Sequence, residues 1–392
     1  MTVVERFLKY VTFDTSSDEE SGTVPSTAKQ LAFADYLAEE LRSAGVADAA
    51  RDELGYVYGH IPASAGCENC PKIGFISHMD TSPDVSGANV KPRIITFDGK
   101  NAPMVSEKYI GQQLIVSDCT TLLGADDKAG IAEIVALCAA LNSDENIRHG
   151  ALSICFTPDE EIGRGADHFD FERFGADFAY TVDGGEVGGI ECENFNAADA
   201  DVIIHGVNTH PGSAKNKMRN ASLYLAEFIG MLPAWETPAH TEGREGFYHV
   251  AHISGNETEA RMHMIIRDHD REKFENRKRF AAGIADFMNE KYGGGTVEVS
   301  IKDSYYNMLE VIEQHMDIVE CAEKAMLDAG VEPKLVPIRG GTDGARLSFE
   351  GLPCPNLPTG GMNFHSINEA IPVDALTKMV EVLINIATAE RA

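Results

Sequence analysis

The first half of the chain alternates apolar runs with segments of helical periodicity. Runs with the length of strands covered on both faces occur at 73–77, 151–157 and 178–182, and helical apolar spacing occurs at 3–12, 27–44 and 129–141. Ser26 stands just before the second helical segment, so its hydroxyl is predicted to cap that helix. A polar stretch without regular pattern follows the first strand, to about residue 116. The alternation predicts an α/β protein: a mainly parallel sheet with helices on both faces.

The pattern changes near residue 198. Between residues 201 and 300 the strands alternate apolar and polar positions, and they accompany two long helical segments at 220–232 and 271–291. Helical spacing of the earlier kind returns at 314–329 and 374–390. We therefore predict a first domain built from residues 1–197 and 309–392, interrupted by an inserted α+β domain at 198–308.

Charge and composition exclude several classes of protein. The formal net charge is -29, which argues against binding to nucleic acids or to anionic membranes. No apolar run has the length of a membrane helix, and the N-terminus lacks the basic start and apolar stretch of a signal peptide, so we expect a cytoplasmic protein. Eight cysteines are scattered along the chain. Cys67 and Cys70 form a CxxC pair, but neither a helix start nor two further zinc ligands lie nearby.

Candidate chemistry collects where predicted strands end. His78 and Asp80 follow the strand at 73–77, and residues two apart in an extended chain point the same way, so Asp80 can fix the tautomer of His78. The remaining candidates follow other strands, begin a helix or lie in a glycine-rich loop: Asp126 and Asp127, Asp159 to Glu161, Asp183, and His365. The carboxyl edge of an open parallel sheet is where ligands bind.

Each of these motifs also has a purely structural interpretation. Acidic residues such as Asp126 and Asp127 stabilise a helix start, and an acidic turn such as 159–161 is commonly only solvated. As a set, however, two histidines and three carboxylates suit a pair of zinc ions if one carboxylate bridges them. Each ion then keeps an open position, and a water shared by both becomes a hydroxide nucleophile.

The motifs also carry a resemblance to a known family. In order along the chain, the strings are Gly74 to Asp84, Leu122 to Gly130, Thr157 to Gly163, Tyr180 to Gly185, Glu193 to Ala198, His210 to Gly212, Glu245 to His249, Asp303 to Met308 and Arg339 to Gly344. They closely resemble the peptidase T family of tripeptide aminopeptidases. This family belongs to the zinc-peptidase superfamily that also holds carboxypeptidase G, aminoacylase and the succinyl-diaminopimelate desuccinylases. The likeness covers nearly the whole chain.

The resemblance implies a role for each candidate. His78 and Asp183 would bind one zinc ion, Glu161 and His365 the other, and Asp126 would bridge them, with a cis peptide between Asp126 and Asp127. Asp80 would orient His78, and Glu160 would be the general base. Cobalt or manganese also suits such a site. The implied reaction is removal of the N-terminal residue from short peptides, most of all tripeptides.

The resemblance also interprets the inserted domain. It would be a lid or dimerisation domain, through which a homodimer could form. His210 resembles the lid histidine that stabilises the oxyanion, and Lys215, Arg267 and Arg339 are candidates for holding the far carboxylate of the peptide. Each of these three cations could equally form a surface ion pair.

The chain departs from close relatives at three places. Residues 366–370 read Ser-Ile-Asn-Glu-Ala where relatives carry Gly-Lys-His-Glu-Phe, the loop at 85–116 is shortened, and Asn216 replaces a glycine. The first two could alter substrate preference. Dipeptidase, carboxypeptidase and N-acyl-amino-acid hydrolase activities of the same superfamily therefore remain alternatives. A non-catalytic peptide- or metal-binding protein is a further one, although binding alone needs neither Asp80 nor Glu160.

Overall fold

The computed structural model describes residues 1–388, and these divide into two compact units. The first contains Met1–Cys192, Met308–Val336 and the residues from Thr342 onwards, and the second contains Glu193–Asn307 and Pro337–Gly341. The predicted inserted segment thus falls within the second unit apart from its last residue. Residues 337–341 also belong to the second unit, which the hydrophobic pattern did not predict.

Helices and strands follow one another along the chain as follows. The helices are α1 Val3–Tyr10, α2 Lys29–Ser43, α3 Ala125–Ser143, α4 Phe171–Phe174, α5 Ala221–Met231, α6 Arg271–Tyr292, α7 Leu309–Ile312, α8 Met316–Asp328, α9 Asp343–Phe349 and α10 Val373–Thr388. The strands are β1 Ala50–Arg51, β2 Val57–Ile61, β3 Ile73–His78, β4 Arg93–Thr96, β5 Gln113–Val116, β6 Leu152–Thr157, β7 Phe178–Gly184, β8 Gly189–Asn194, β9 Asn196–His205, β10 Phe247–Gly255, β11 Glu259–Asp268, β12 Val297–Tyr305, β13 Lys334–Ile338, β14 Asn356–Pro358 and β15 Ala370–Pro372.

The largest sheet has eight strands in the order β1-β2-β6-β3-β7-β14-β8-β13. Its centre is parallel: β3 pairs in parallel with β6 and β7, and β7 pairs in parallel with β14. The four carboxyl ends therefore lie along one edge. The strands β3, β6 and β7 are buried almost throughout, as strands covered on both faces must be.

Helices cover both faces of this sheet. Ile76 of β3 packs in a core cluster with Leu347 of α9, whereas its neighbour Ser77 points to the opposite face. On that face α3 passes so close that a Cβ on Gly130 would stand 2.5 Å from the Ser77 hydroxyl and 1.9 Å from the Val182 carbonyl oxygen. The predicted fold class is confirmed.

Two local predictions are wrong. Ser26 does not cap α2, whose first turn receives no side-chain cap; its hydroxyl instead donates to the Asp159 carboxylate at 2.5 Å. The stretch before residue 116 is not irregular throughout, because it contains β4 and β5, which join β15 in a three-stranded sheet. These four-residue strands are too short for alternation to stand out against polar neighbours.

The second unit is built on a four-stranded sheet in the order β10-β11-β9-β12. All of its pairings are antiparallel. The helices α5 and α6 pack on it around a core that includes Ala200, Leu225 and Ile284. Among residues 1–388 there is no helix that combines the length and the apolar character needed to cross a membrane.

Candidate metal centre and catalytic site

Four neighbouring parallel strands deliver the candidate residues to one edge of the sheet. His78 is the last residue of β3, and Asp183 lies one residue before the end of β7. Glu160 and Glu161 follow β6 in a short 3-10 helix, and the loop after β14 carries His365. Because parallel strands end together, residues far apart in sequence meet here.

Asp126 lies between the two histidines. Its Oδ1 is 2.9 Å from Nε2 of His78, and its Oδ2 is 3.2 Å from Nε2 of His365. The peptide bond between Asp126 and Asp127 is cis, as the resemblance implied. With one oxygen directed at each histidine, the carboxylate has the arrangement that a ligand bridging two cations needs.

The other two carboxylates complete the cluster, one beside each histidine. Asp183 Oδ1 is 3.3 Å from His78 Nε2, and Glu161 Oε2 is 2.8 Å from His365 Nε2. Two overlapping trios have ligand atoms within 4.8 Å of one another: His78 with Asp127 and Asp183, and His78 with Asp126 and Glu161. The buried Oε1 of Glu161 finds no hydrogen-bond partner in the described part of the chain. Histidine nitrogens and an unsatisfied carboxylate oxygen fit a zinc-type metal pair.

The protonation equilibria reflect the crowding of carboxylates. Burial, with Asp126 close by, raises the pKa of Asp183 to about 8. Burial alone would lower the pKa of His78, but Asp183, Asp126 and Asp80 outweigh it and raise that pKa well above its usual value. Hydrogen bonds to Asp126 and Glu161 raise the pKa of His365 to about 11. The cluster thus attracts positive charge, which divalent cations would supply.

Asp80 holds both glutamates as well as the histidine. Its Oδ1 lies 3.3 Å from Nδ1 of His78, the nitrogen turned away from Asp126. The same carboxylate accepts the backbone N–H groups of Glu160 at 3.0 Å and Glu161 at 3.2 Å. The motif predicted the contact with the histidine; the contact with the glutamates depends on how β3 and β6 pair.

Glu369 supports the backbone segment that leads to Asp126. Its fully buried carboxylate accepts N–H groups from Leu123 and Gly124 at 2.7 Å and from Asp126 at 3.1 Å. Burial raises its pKa to about 7 although these three donors oppose that shift. Sequence reasoning missed Glu369. The signal was that, of the five residues at 366–370, it alone matches the pattern of close relatives.

Asp127 was grouped with Asp126, but its contacts are different. Its Oδ2 accepts the backbone N–H of His78 at 3.2 Å, and its Oδ1 accepts that of Gly130 at 3.3 Å. Burial, with Asp183 nearby, raises its pKa well above the usual value. Asp127 thus ties the start of α3 to the end of β3.

The remaining candidates lie in the second unit. His210 is exposed and begins a 3-10 turn, where its Nδ1 accepts the N–H of Gly212 at 3.1 Å. In the neutral ring this leaves the proton on Nε2, so His210 can donate a hydrogen bond from that atom. Lys215 is exposed on the loop that follows. Asn216 has a φ of 61°, a left-handed conformation that asparagine tolerates better than most residues.

The two arginines differ in how strongly they are engaged. Arg267 of β11 donates to the carbonyl of Ile266 at 3.2 Å and lies 5.3 Å from the ring of Tyr305. Arg339 is bound more completely, since it donates to the Gly243 and Glu245 carbonyls and to the Thr241 hydroxyl at 2.7, 3.1 and 2.9 Å. Within its unit, Arg339 therefore secures the segment 241–245.

Comparison with known proteins finds similar peptidases. A family model described as a peptidase dimerisation domain matches residues 192–296. A peptidase T from Caldanaerobacter subterraneus is 54% identical over 98% of this chain and 97% of its own length. The crystal structure of aminopeptidase PepT from Bacillus cereus superposes with a TM-score of 0.79 at 26% identity, covering 98% of this chain and 97% of that one. A dinuclear metal-binding peptidase of the M20 family from Bacillus subtilis shares the fold, with a TM-score of 0.68 at 15% identity over 98% and 96% of the two chains. Because the Caldanaerobacter protein is 54% identical over nearly the full length of both chains, this chain belongs to the peptidase T family.

Proposed function

We propose that this protein is a metal-dependent aminopeptidase that releases the N-terminal residue of short peptides, tripeptides above all. The observation that carries the proposal is the Asp126 carboxylate, which directs one oxygen at each of two histidines, beside a glutamate whose backbone N–H is held by Asp80. The substrate follows from family membership, since the relative that is 54% identical over nearly its whole length bears the name peptidase T.

The metal pair is proposed as two zinc ions per chain, with cobalt or manganese as chemically acceptable replacements. His78 and Asp183 would hold one ion, Glu161 and His365 the other, and Asp126 would bridge them. Bound at this site, the ions supply Lewis acidity to the scissile carbonyl and acidity to a water.

Glu160 is the proposed general base. It is adjacent to a metal ligand but is not itself needed as one, so its carboxylate is left to take a proton from the attacking water and deliver it to the leaving amine. Asp80 holds it in place through the backbone N–H group and at the same time sets the orientation of His78. The two functions share one carboxylate, which couples the position of the base to that of the metal ligand.

Residues of the second unit are proposed to recognise the rest of the peptide. His210, with its proton on Nε2, would donate to the oxyanion. Arg267, Lys215 and Arg339 are candidates for the far carboxylate; Arg339 would act chiefly by holding residues 241–245. The dimerisation-domain match supports a homodimer formed through this unit.

The test is a peptide series with free and blocked ends, assayed with and without a chelator. The free tripeptide is expected to be cut after its first residue, the N-acetylated tripeptide to resist, and the C-amidated one to be cut more slowly. Loss of activity with the chelator and its return with zinc are also expected. Cleavage of N-acetylated peptides with sparing of C-amidated ones would instead establish a carboxypeptidase or an N-acyl-amino-acid hydrolase.

A further inference from the structure

We propose that helix α9 is the support of the catalytic base, with Asp343 and Arg346 as positioning residues for the segment Glu160–Asp167. The inference deepens the proposed function and rests on its assignment of Glu160. All the residues involved lie in the first unit.

The segment needs outside support because its backbone is irregular. The 3-10 helix Glu160–Ile162 is a single turn, and it is flanked by left-handed residues, Asp159 with a φ of 59° and Gly163 with a φ of 71°. A single turn of this kind gains little stability from its own hydrogen bonds. Asp80 holds only its start, through the N–H groups of Glu160 and Glu161.

Arg346 binds the part that follows. Its guanidinium donates to the Gly163 carbonyl at 2.7 Å and to the Asp167 carboxylate at 2.5 Å. Two donors of one rigid, planar group thus fix both a backbone and a side-chain acceptor. The carbonyl belongs to the residue directly after the turn that carries Glu160, so its position sets where that turn ends.

Asp343 supports the same segment from within the core. Its side chain is only 4% exposed, and the Thr157 hydroxyl at the end of β6 donates to its Oδ2 at 2.9 Å. A Cβ built on Gly165 would stand 2.1 and 2.5 Å from the two carboxylate oxygens. The carboxylate therefore occupies the space that any side chain at 165 would need, and the backbone there lies directly against it.

The helix itself is firmly held at both ends. The Thr342 hydroxyl accepts the N–H of Gly344 at 2.9 Å, and the Ser348 hydroxyl donates to the Gly344 carbonyl at 2.7 Å and accepts the N–H of Cys354 at 3.0 Å. The segment Glu160–Asp167, here called the base segment, is thus held at its start by Asp80 and at its end by the fixed helix α9. Small displacements of a catalytic group are costly in rate, so the clamp bears on turnover.

The first experiment compares Arg346→Gln with Arg51→Gln in the full-length, metal-loaded protein. Arg51 also donates to one carboxylate, Asp35 at 2.6 Å, and to one backbone carbonyl, that of Asp52 at 2.7 Å, but it lies on β1 and touches neither α9 nor the segment Glu160–Asp167, which makes it the matched control. Arg346→Gln is expected to lower kcat roughly 10- to 100-fold with KM and metal content unchanged, and Arg346→Lys to recover part of the loss. Arg51→Gln is expected to leave kcat of the folded enzyme unchanged. Wild-type kcat in Arg346→Gln, or an equal loss in both variants, would overturn the proposal.

The second experiment tests the contact between Asp343 and Gly165. The φ of Gly165 is not left-handed, so Gly165→Ala adds a clash with the carboxylate and little backbone strain. We expect the loss of kcat in Gly165→Ala combined with Asp343→Ser to be smaller than the product of the two single losses. Losses that simply multiply would show that the two sites act independently.

Glu160→Gln assayed in parallel separates this inference from the proposed function. If Glu160→Gln retains turnover, the assignment of the base fails. If Glu160→Gln is inactive while Arg346→Gln is normal, the base stands and the support by α9 fails.

Discussion

At the scale of single residues, the site depends on carboxylates that serve two partners at once. Asp126 faces two histidines with its two oxygens, and Asp80 contacts His78 while it accepts N–H groups from two consecutive glutamates. Since a carboxylate has two oxygens and about four acceptor directions, one acidic residue can set the distance between groups delivered by different strands. Glu160 and Glu161 are both held by Asp80 and can still have different roles.

Glu160 and Glu161 give a matched test of that divergence. We expect Glu160→Gln to lower kcat by at least about 100-fold with both metal ions retained, because the variant removes the proton carrier but no ligand. Glu161→Gln should instead release one ion, because it weakens a ligand. Metal analysis of the purified proteins beside kcat decides between the two roles, and metal loss in Glu160→Gln would reverse them.

Glu369 is predicted to act on metal affinity through the backbone. Glu369→Gln leaves three buried N–H groups facing an amide that offers a single acceptor oxygen, so the segment leading to Asp126 should loosen. We expect metal affinity to fall about 10- to 100-fold, as for other supports of metal ligands, measured by competition with a chromogenic chelator. Glu381→Gln, at an exposed position of α10, is the control and should bind metal normally.

At the scale of elements, α3 shows how the site limits the sequence of a helix. It is buried nearly throughout, it begins at the proposed bridging ligand, and Gly130 lets it lie against β7. Glu133 is fully buried within it, and neither carboxylate oxygen has a hydrogen-bond partner among residues 1–388. Burial raises the pKa of Glu133 well above its usual value, so the folded protein holds this group in its neutral form.

This burial predicts a pH-dependent cost to stability. Below the unfolded pKa of a glutamate, about 4.3, the carboxyl group is protonated in both states and its raised folded pKa costs no stability. As pH rises from there towards the folded pKa, the free energy of unfolding decreases, because the unfolded chain releases the proton and the folded protein keeps it. Glu133→Met, of similar volume, should therefore gain stability over the wild type as pH rises, by more than about 1 kcal/mol at pH 8. Denaturant unfolding at pH 5 and pH 8 measures the difference. A gap that does not widen with pH would contradict the neutral buried state.

At the scale of the whole molecule, the two edges of the second unit's sheet differ in character. β12 carries Glu298, Lys302 and Asp303, charges of the kind that protect an edge from pairing. β10 has no acidic or lysine residue, and it exposes Ile253 at 52%. An unpaired strand edge that exposes an apolar side chain is suited to association with a second copy.

We predict that the homodimer forms along β10. Ile253→Lys should raise the dimer dissociation constant at least about 10-fold, because it places a charge in an apolar contact. Phe287→Lys on α6, a similarly exposed apolar residue, is the control and should leave association unchanged. Sedimentation velocity over a concentration series measures both. A monomeric wild type, or equal effects of both substitutions, would refute the assignment.

Much of the architecture could be predicted before any coordinates were known. The apolar runs at 73–77, 151–157 and 178–182 placed three of the four central parallel strands, because strands buried on both faces need continuous hydrophobic residues. The fourth, β14, escaped prediction: it has three residues and includes Pro358. The Ser26 cap was a wrong prediction for a different reason, since a long-range partner, Asp159, took the hydroxyl that local geometry assigned to the helix.

The sequence by itself determined the fold class, the family and the residues with the chemistry to bind metal. Buried strands appear in it as continuous apolar runs, and the acidic residues that follow them are neighbours along the chain. Only the tertiary structure decided which atoms meet: Asp126 between the histidines, Glu369 beneath the approach to it, and α9 against the base segment. These contacts join residues 48 to 246 positions apart. Periodicity and motif spacing report neighbours along the chain, whereas such contacts depend on strand order and on close packing of helices against the sheet.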